Sequence, residues 1–138
     1  MDFSNLDIAE YLKSKGIKPS YQRIKVFEYL IKYRSHPTVD EIYKELVGEI
    51  PTLSKTTIYN ILDLFIENGV AQPILIEENE TRYDADISVH GHFKCEKCGR
   101  IYDFLVDVSA IKAEGIEGFA GNQKHIYYKG ICKNCLKE

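Results

Sequence analysis

Four cysteines give this 138-residue chain its clearest chemical signal. They form two C-x-x-C pairs, Cys95 with Cys98 and Cys132 with Cys135, and 33 residues separate the pairs. Each pair can turn its chain so that both sulfurs reach one ion, and two pairs supply the four thiolates of a closed tetrahedral zinc site. Such a site has no open coordination position, so we predict a structural zinc. A redox-active dithiol pair is the alternative, but no βαβ pattern surrounds these cysteines.

Histidines and aspartates around the first cysteine pair indicate a second site with different chemistry. His90 and His92 stand two residues apart and would point to one face of a strand. Asp103 follows the cysteine pair, while Asp84 and Asp86 precede the histidines with the same strand parity, so local pattern does not separate these two. Three histidines and one or two aspartates suit Fe²⁺, Mn²⁺ or Zn²⁺. The candidate ligands are His36, Asp84 or Asp86, His90, His92 and Asp103.

The elements that must position these residues begin with four predicted helices and a hairpin. The helices cover residues 6–15 and 21–33, a third begins at the capping box Thr38–Glu41, and a fourth lies between the N-cap Ser54 and the stop Asn68-Gly69. Two extended runs, 70–77 and 81–85, then predict a hairpin. Three helices and a β-hairpin form the winged helix-turn-helix plan, here with one extra helix in front.

The charge distribution favours a DNA partner although the net charge is −3. Between Tyr11 and Arg34 the chain has seven cations and one acid, which could also be only a solvated helix surface. The outer face of the fourth helix carries side chains that can meet phosphates or base edges, but Asp63 and the acidic hairpin tip would repel phosphates. The predicted DNA-binding residues are Arg23, Lys55, Thr56, Tyr59 and Asn60.

The composition points to the cytoplasm. The chain is 44% apolar, which is typical of a globular protein of one domain or two small ones. No stretch approaches the roughly 18 apolar residues of a membrane span, and residues 1–5 show no secretory signal. We therefore predict a cytoplasmic protein without a membrane partner.

Several motifs make the chain resemble the ferric uptake regulator family over nearly its whole length. These motifs are Pro19–Arg23, His36–Tyr43, Ser54–Asn60, Arg82–Asp84, His90–His92 and Cys95–Gly99. The resemblance implies a homodimeric bacterial repressor that binds palindromic operator DNA and is not an enzyme. It also implies an α+β fold with a winged-helix DNA-binding domain at 1–83, a hinge at 84–89 and a small α/β dimerisation and metal-binding domain at 90–138.

Within the family, the chain looks most like the peroxide-sensing branch. The matching regulatory ligands are His36, Asp84, His90, His92 and Asp103. Iron-sensing members usually have Glu in place of Asp103, and zinc-sensing members usually add a cysteine. Two departures concern the environment of the metal and the operator: Val89 stands where peroxide sensors often have Asp, and Asp63 stands where a basic residue is frequent.

The resemblance also implies a mechanism. One Fe²⁺ or Mn²⁺ ion bound by both halves would clamp the hinge and set the spacing of two reading helices. With Fe²⁺, peroxide would oxidise His36 or His90 and release the DNA, whereas the Mn²⁺ form would sense peroxide poorly. The alternatives are a family member that senses iron, manganese or zinc concentration, and a zinc-dependent hydrolase, for which no general base is evident.

Overall fold

The computed structural model describes residues 5–33, 36–121 and 123–137. The chain divides into two compact units, Met1–Ile87 and Ser88–Glu138, and each is described by itself. Within the described ranges, no helix combines the length and hydropathy that a membrane crossing requires.

The first unit begins with the four predicted helices, and each helix boundary that the sequence predicts lies within one residue of the observed one. They are α1 (Asn5–Ser14), α2 (Tyr21–Lys32), α3 (Val39–Leu46) and α4 (Lys55–Glu67). The predicted caps are present: the Thr38 hydroxyl accepts the Glu41 amide at 3.2 Å, and the Ser54 hydroxyl accepts the Thr57 amide at 3.1 Å. These bonds satisfy amides that the first helical turn leaves without a partner.

The helices enclose one apolar core. Ile58, Leu62 and Phe65 of α4 are completely buried, as the apolar stripe of this helix predicts. The Phe65 ring meets the Phe27 ring of α2 edge to face, with ring centroids 5.7 Å apart. This packing leaves the opposite face of α4 at the surface.

A short hairpin completes the first unit. Its strands β1 (Gln72–Ile74) and β2 (Arg82–Asp84) are antiparallel. They are shorter than the predicted runs because residues 77–81, which overlap both runs, form the turn. We call residues 72–84 the wing. Helices α2, α3 and α4 with this wing form the predicted winged helix.

The second unit is a three-stranded sheet with a short terminal helix. Its strands are β3 (Gly91–Cys95), β4 (Ile101–Phe104) and β5 (Tyr127–Gly130), and its helix is α5 (Lys133–Leu136). The central strand β3 is antiparallel to β4 and parallel to β5. Paired residues of neighbouring strands share a face of a sheet, so the register brings His92, Asp103 and Tyr127 to one face.

Candidate metal centres and nucleic-acid interface

The four cysteines of the second unit converge at the end of β3 and the start of α5. The Sγ atoms of Cys95 and Cys135 lie 3.8 Å apart, those of Cys98 and Cys132 lie 3.9 Å apart, and all four lie within 4.8 Å of one another. Ligands about 2.3 Å from a tetrahedral zinc are separated by about 3.8 Å, whereas a disulfide needs about 2.05 Å. The sulfur positions therefore fit one tetrahedral ion.

Hydrogen bonds lower the pKa of two of these cysteines. Cys95 Sγ accepts the amides of Cys98 at 3.4 Å and Cys132 at 3.3 Å, which lowers the pKa of Cys95 to about 6. The Tyr102 side chain hydrogen-bonds to Cys132 and lowers its pKa. By contrast, the hydrogen bond of Cys135 with Cys132 raises the pKa of Cys135 to about 12. A dication would favour all four thiolates, so the donor set suits a bound metal.

A second group of ligand atoms lies on one face of the β3–β4 pair. Asp103 Oδ1 is 3.4 Å from His92 Nε2 and 3.8 Å from His90 Nε2. His90 turns its other nitrogen, Nδ1, to the carbonyl oxygen of Ser88 at 2.8 Å. Ligands about 2.1 Å from one ion are about 3.0 Å apart in an octahedron and about 3.4 Å apart in a tetrahedron. The three side chains are therefore close to the spacing of neighbouring ligands.

The first unit contains a His–Asp pair of its own. His36 Nε2 lies 3.7 Å from Asp84 Oδ2, and both residues are buried. The other carboxylate oxygen of Asp84 accepts the Asp86 amide at 2.9 Å, while the Asp86 carbonyl accepts the Gln72 side chain at 2.6 Å. Of the two aspartates that local pattern could not separate, Asp84 is the one whose carboxylate faces His36.

Two residues that the sequence analysis gave no role hold these groups in place. Arg82 Nη1 donates to the main-chain oxygen of His36 at 3.0 Å, and Tyr102 supports Cys132. In the sequence, Arg82 is marked only by its place in the family motif Arg82–Asp84. Its partner lies 46 residues away, so no local pattern could reveal the contact.

The predicted reading residues of α4 lie together at the surface. Lys55, Thr56, Tyr59 and Asn60 are all exposed, and Asp63 is exposed as well. Arg23 of α2, together with Lys18, Thr57 and Asn60, lines a cleft beside α4. The Arg23 guanidinium donates to the Lys18 carbonyl at 2.7 Å, so this arginine also holds the loop before α2.

Part of the positive charge of the first two helices is neutralised locally. Lys25 Nζ pairs with Glu49 at 3.1 Å and with Glu28 at 3.4 Å, and these partners raise its pKa. On α4, Lys55 Nζ pairs with Asp40 of α3 at 3.0 Å. Arg34, the last cation of the basic stretch, lies outside the described residues. The exposed basic surface is therefore smaller than the sequence count indicates.

A winged helix joined to a sheet domain with a four-thiol cluster defines a metal-binding protein of the winged-helix class. The ferric uptake regulator family model matches residues 14–129, and the chain belongs to this family. The structure thus has the α+β family fold that the sequence predicts, with a four-cysteine cluster in the second unit that fits a zinc site.

Several named relatives are peroxide-responsive regulators. The chain is 36% identical to the peroxide operon regulator of Bacillus subtilis in an alignment of 133 positions that covers 94% of this chain and 91% of that protein. It is 30% identical to PerR from Streptococcus pyogenes, with a TM-score of 0.55 and coverage of 98% of this chain and 95% of that one. The Campylobacter jejuni peroxide stress regulator is 27% identical, with a TM-score of 0.65 and coverage of 98% and 100%.

Proposed function

We propose that this protein is a cytoplasmic, homodimeric transcriptional repressor that binds palindromic operator DNA when loaded with a regulatory metal and releases it after oxidation by peroxide. We assign it no enzymatic activity. The convergence of His90, His92 and Asp103 on one sheet face is the observation that carries the proposal, because it offers the mixed nitrogen and oxygen ligands that Fe²⁺ and Mn²⁺ accept. The 36% identity to a peroxide operon regulator supports the choice of signal.

The four cysteines would hold the structural ion, which we take to be zinc. All four ligands would be cysteine sulfurs, and their separations match a closed tetrahedral site. Cys95 ends β3 and Cys98 follows it, whereas Cys132 is the N-cap of α5 and Cys135 lies within that helix, so the four side chains would join the terminal helix to the sheet. This role is separate from the regulatory one.

The regulatory ion would use ligands from both units. His36 and Asp84 belong to the first unit, and His90, His92 and Asp103 belong to the second. Binding by both groups would favour one arrangement of the units over others, and the selected arrangement would set the spacing of two α4 helices in a dimer. The reading residues Lys55, Thr56, Tyr59 and Asn60 would then face successive major grooves, with Arg23 beside them.

The ligand histidines would also be the sensor. Bound Fe²⁺ would supply the chemistry by which one oxygen atom of hydrogen peroxide is added to an imidazole ring and the other leaves as water. His36 or His90 would receive the oxygen, as the family resemblance implies. The modified ring is a poorer ligand than imidazole, so the protein would lose its preference for the DNA-competent arrangement.

Operator binding before and after peroxide tests the proposal. A palindromic duplex, selected from a random pool on the Mn²⁺-loaded protein, is titrated by fluorescence anisotropy with Fe²⁺ or Mn²⁺. We expect a low dose of peroxide to release DNA from the Fe²⁺ form only, with one added oxygen on the His36 or His90 peptide in mass spectrometry. If both metal forms hold the duplex and no peptide gains oxygen, the protein senses metal concentration instead.

A further inference from the structure

Arg82 connects three parts of the first unit. It lies on β2, two residues before Asp84, and its side chain is only 17% exposed. Its Nε donates to Glu77 in the turn of the wing, and its Nη1 donates to the His36 carbonyl at 3.0 Å and to Glu41 of α3 at 3.4 Å. A largely buried guanidinium needs such partners, because an unpaired charge is costly away from water.

The backbone that Arg82 holds has an unusual conformation. His36 has a φ of 60°, in the left-handed region that residues with a side chain seldom adopt. The next residues are tied to the same strand: the Tyr83 amide donates to the Pro37 carbonyl at 3.0 Å, and Thr38 forms a bridge with Arg82. The position of the His36 imidazole therefore depends on β2, and Arg82 is the side chain that hydrogen-bonds to the His36 carbonyl.

We propose that Arg82 is a positioning residue that couples the regulatory ligand His36 to the turn of the wing, which carries Glu77. This inference rests on the proposed function. If the His36 carbonyl moves, Arg82 loses one acceptor, and its guanidinium must shift toward Glu41 or Glu77. The wing carries Glu77, so its orientation responds to the position of His36. Coupling between two sites is reciprocal, so contact of the wing with DNA would in turn favour the metal-binding position of His36.

Two substitutions separate this coupling from simple support of the fold. Arg82→Lys keeps the charge but cannot offer its donors in the planar fork that reaches three acceptors. Glu77→Gln weakens the hydrogen bond between Arg82 and the turn of the wing and changes no proposed metal ligand. Glu78→Gln is the matched control, because Glu78 is an exposed acid of the same turn and changes the net charge equally.

The experiment measures Mn²⁺ affinity without DNA, and operator affinity with and without Mn²⁺, on the full-length zinc-loaded protein. For Arg82→Lys we expect Mn²⁺ binding to weaken by about tenfold, which is typical of residues that orient metal ligands. For Glu77→Gln we expect the ratio of the two operator affinities to fall while zinc content is unchanged. A purely structural role would lower both operator affinities equally and leave the ratio intact.

The outcomes distinguish this inference from the function on which it rests. Wild-type protein whose operator affinity does not respond to Mn²⁺ would overturn both. Suppose that Mn²⁺ raises the operator affinity of the wild-type protein, and that the ratio of operator affinities with and without Mn²⁺ is the same in Glu77→Gln and Glu78→Gln. This result would overturn the coupling alone, even if Arg82→Lys fails to fold. A lower ratio in Glu77→Gln than in Glu78→Gln supports the coupling.

Discussion

The aromatic ring of Phe104 fills the space that a β-carbon on Gly91 would occupy. The two residues face each other across the antiparallel β3–β4 pair, and Gly91 stands between His90 and His92. The Phe104 ring also packs on Tyr128 of β5, with ring centroids 5.0 Å apart. The H-x-H segment thus lies close to β4 because its middle residue has no side chain.

This contact predicts that Gly91→Ala weakens metal binding by the proposed regulatory ligands on β3 and β4. The added methyl group would collide with Phe104 and push β3 away from β4, and overpacking of this kind costs about 1–3 kcal/mol of folding free energy. The separation of His92 and Asp103 should widen, so Mn²⁺ affinity should fall by about tenfold, as for the loss of other supporting contacts. Titration with a competing metal indicator measures this change.

A second substitution tests the cause. In Gly91→Ala/Phe104→Ala the colliding ring is absent, and Mn²⁺ affinity should recover relative to Gly91→Ala alone. Gly121→Ala is the control, since a β-carbon there meets nothing within 4 Å. Equal Mn²⁺ affinities of Gly91→Ala and the control would contradict the steric explanation.

The four-cysteine cluster predicts a loss of stability in Cys95→Ser and Cys132→Ser. Each substitution removes one ligand of the tetrahedron, and structural zinc contributes on the order of 10 kcal/mol in small metal domains. We expect loss of zinc, partial unfolding of the second unit and loss of the dimer. Zinc content by atomic absorption and mass by light scattering measure these effects. A variant that remains a stable dimer without zinc would exclude the structural role.

The His36–Asp84 pair predicts that His36→Ala removes the metal response. The variant should remain a zinc-containing dimer, but Fe²⁺ or Mn²⁺ should no longer raise operator affinity, since the first unit would lose a ligand. Anisotropy titrations with and without Mn²⁺ measure the gain. His125→Ala is the control, because His125 is exposed and hydrogen-bonds with Gln123 and Tyr127. The clamp model fails if His36→Ala retains the full gain.

The exposed tyrosine of α4, Tyr59, predicts a substitution that weakens DNA binding without changing metal binding. Tyr59 is 50% exposed on the reading face, so Tyr59→Ala should weaken operator binding by about tenfold and leave metal content unchanged. The dissociation constant at fixed salt is the measurement. Glu67→Ala, at the end of the same helix, serves as control. An unaltered constant in Tyr59→Ala would remove this residue from the interface.

The ion pair between Lys55 and Asp40 predicts that removing the Asp40 charge raises the affinity for operator DNA. Asp40 competes with phosphate for the Lys55 ammonium group, and it also raises the pKa of Lys55. In Asp40→Asn the lysine is released, so operator affinity at low salt should rise. The slope of log affinity against log salt should steepen by about one. Glu45→Gln, an exposed acid on the same helix, controls for net charge, and equal slopes in both variants would refute the competition.

The sequence by itself determined the features that depend on neighbouring residues. The capping residues Thr38 and Ser54 mark where α3 and α4 begin, and the apolar spacing of α4 identifies its buried face. The spacing of the cysteines likewise predicted one cluster of four, because each C-x-x-C pair brings two sulfurs together locally.

The tertiary structure alone decided contacts that join distant segments. Asp84 and Asp86 have the same strand parity, but only after the chain folds does the Asp84 carboxylate face His36. The ion pair of Lys55 with Asp40 likewise joins α4 to α3. The hydrogen bond of Arg82 with the His36 carbonyl joins β2 to the loop before α3. Such contacts depend on how elements pack, and packing is set by the whole core rather than by the spacing of nearby residues.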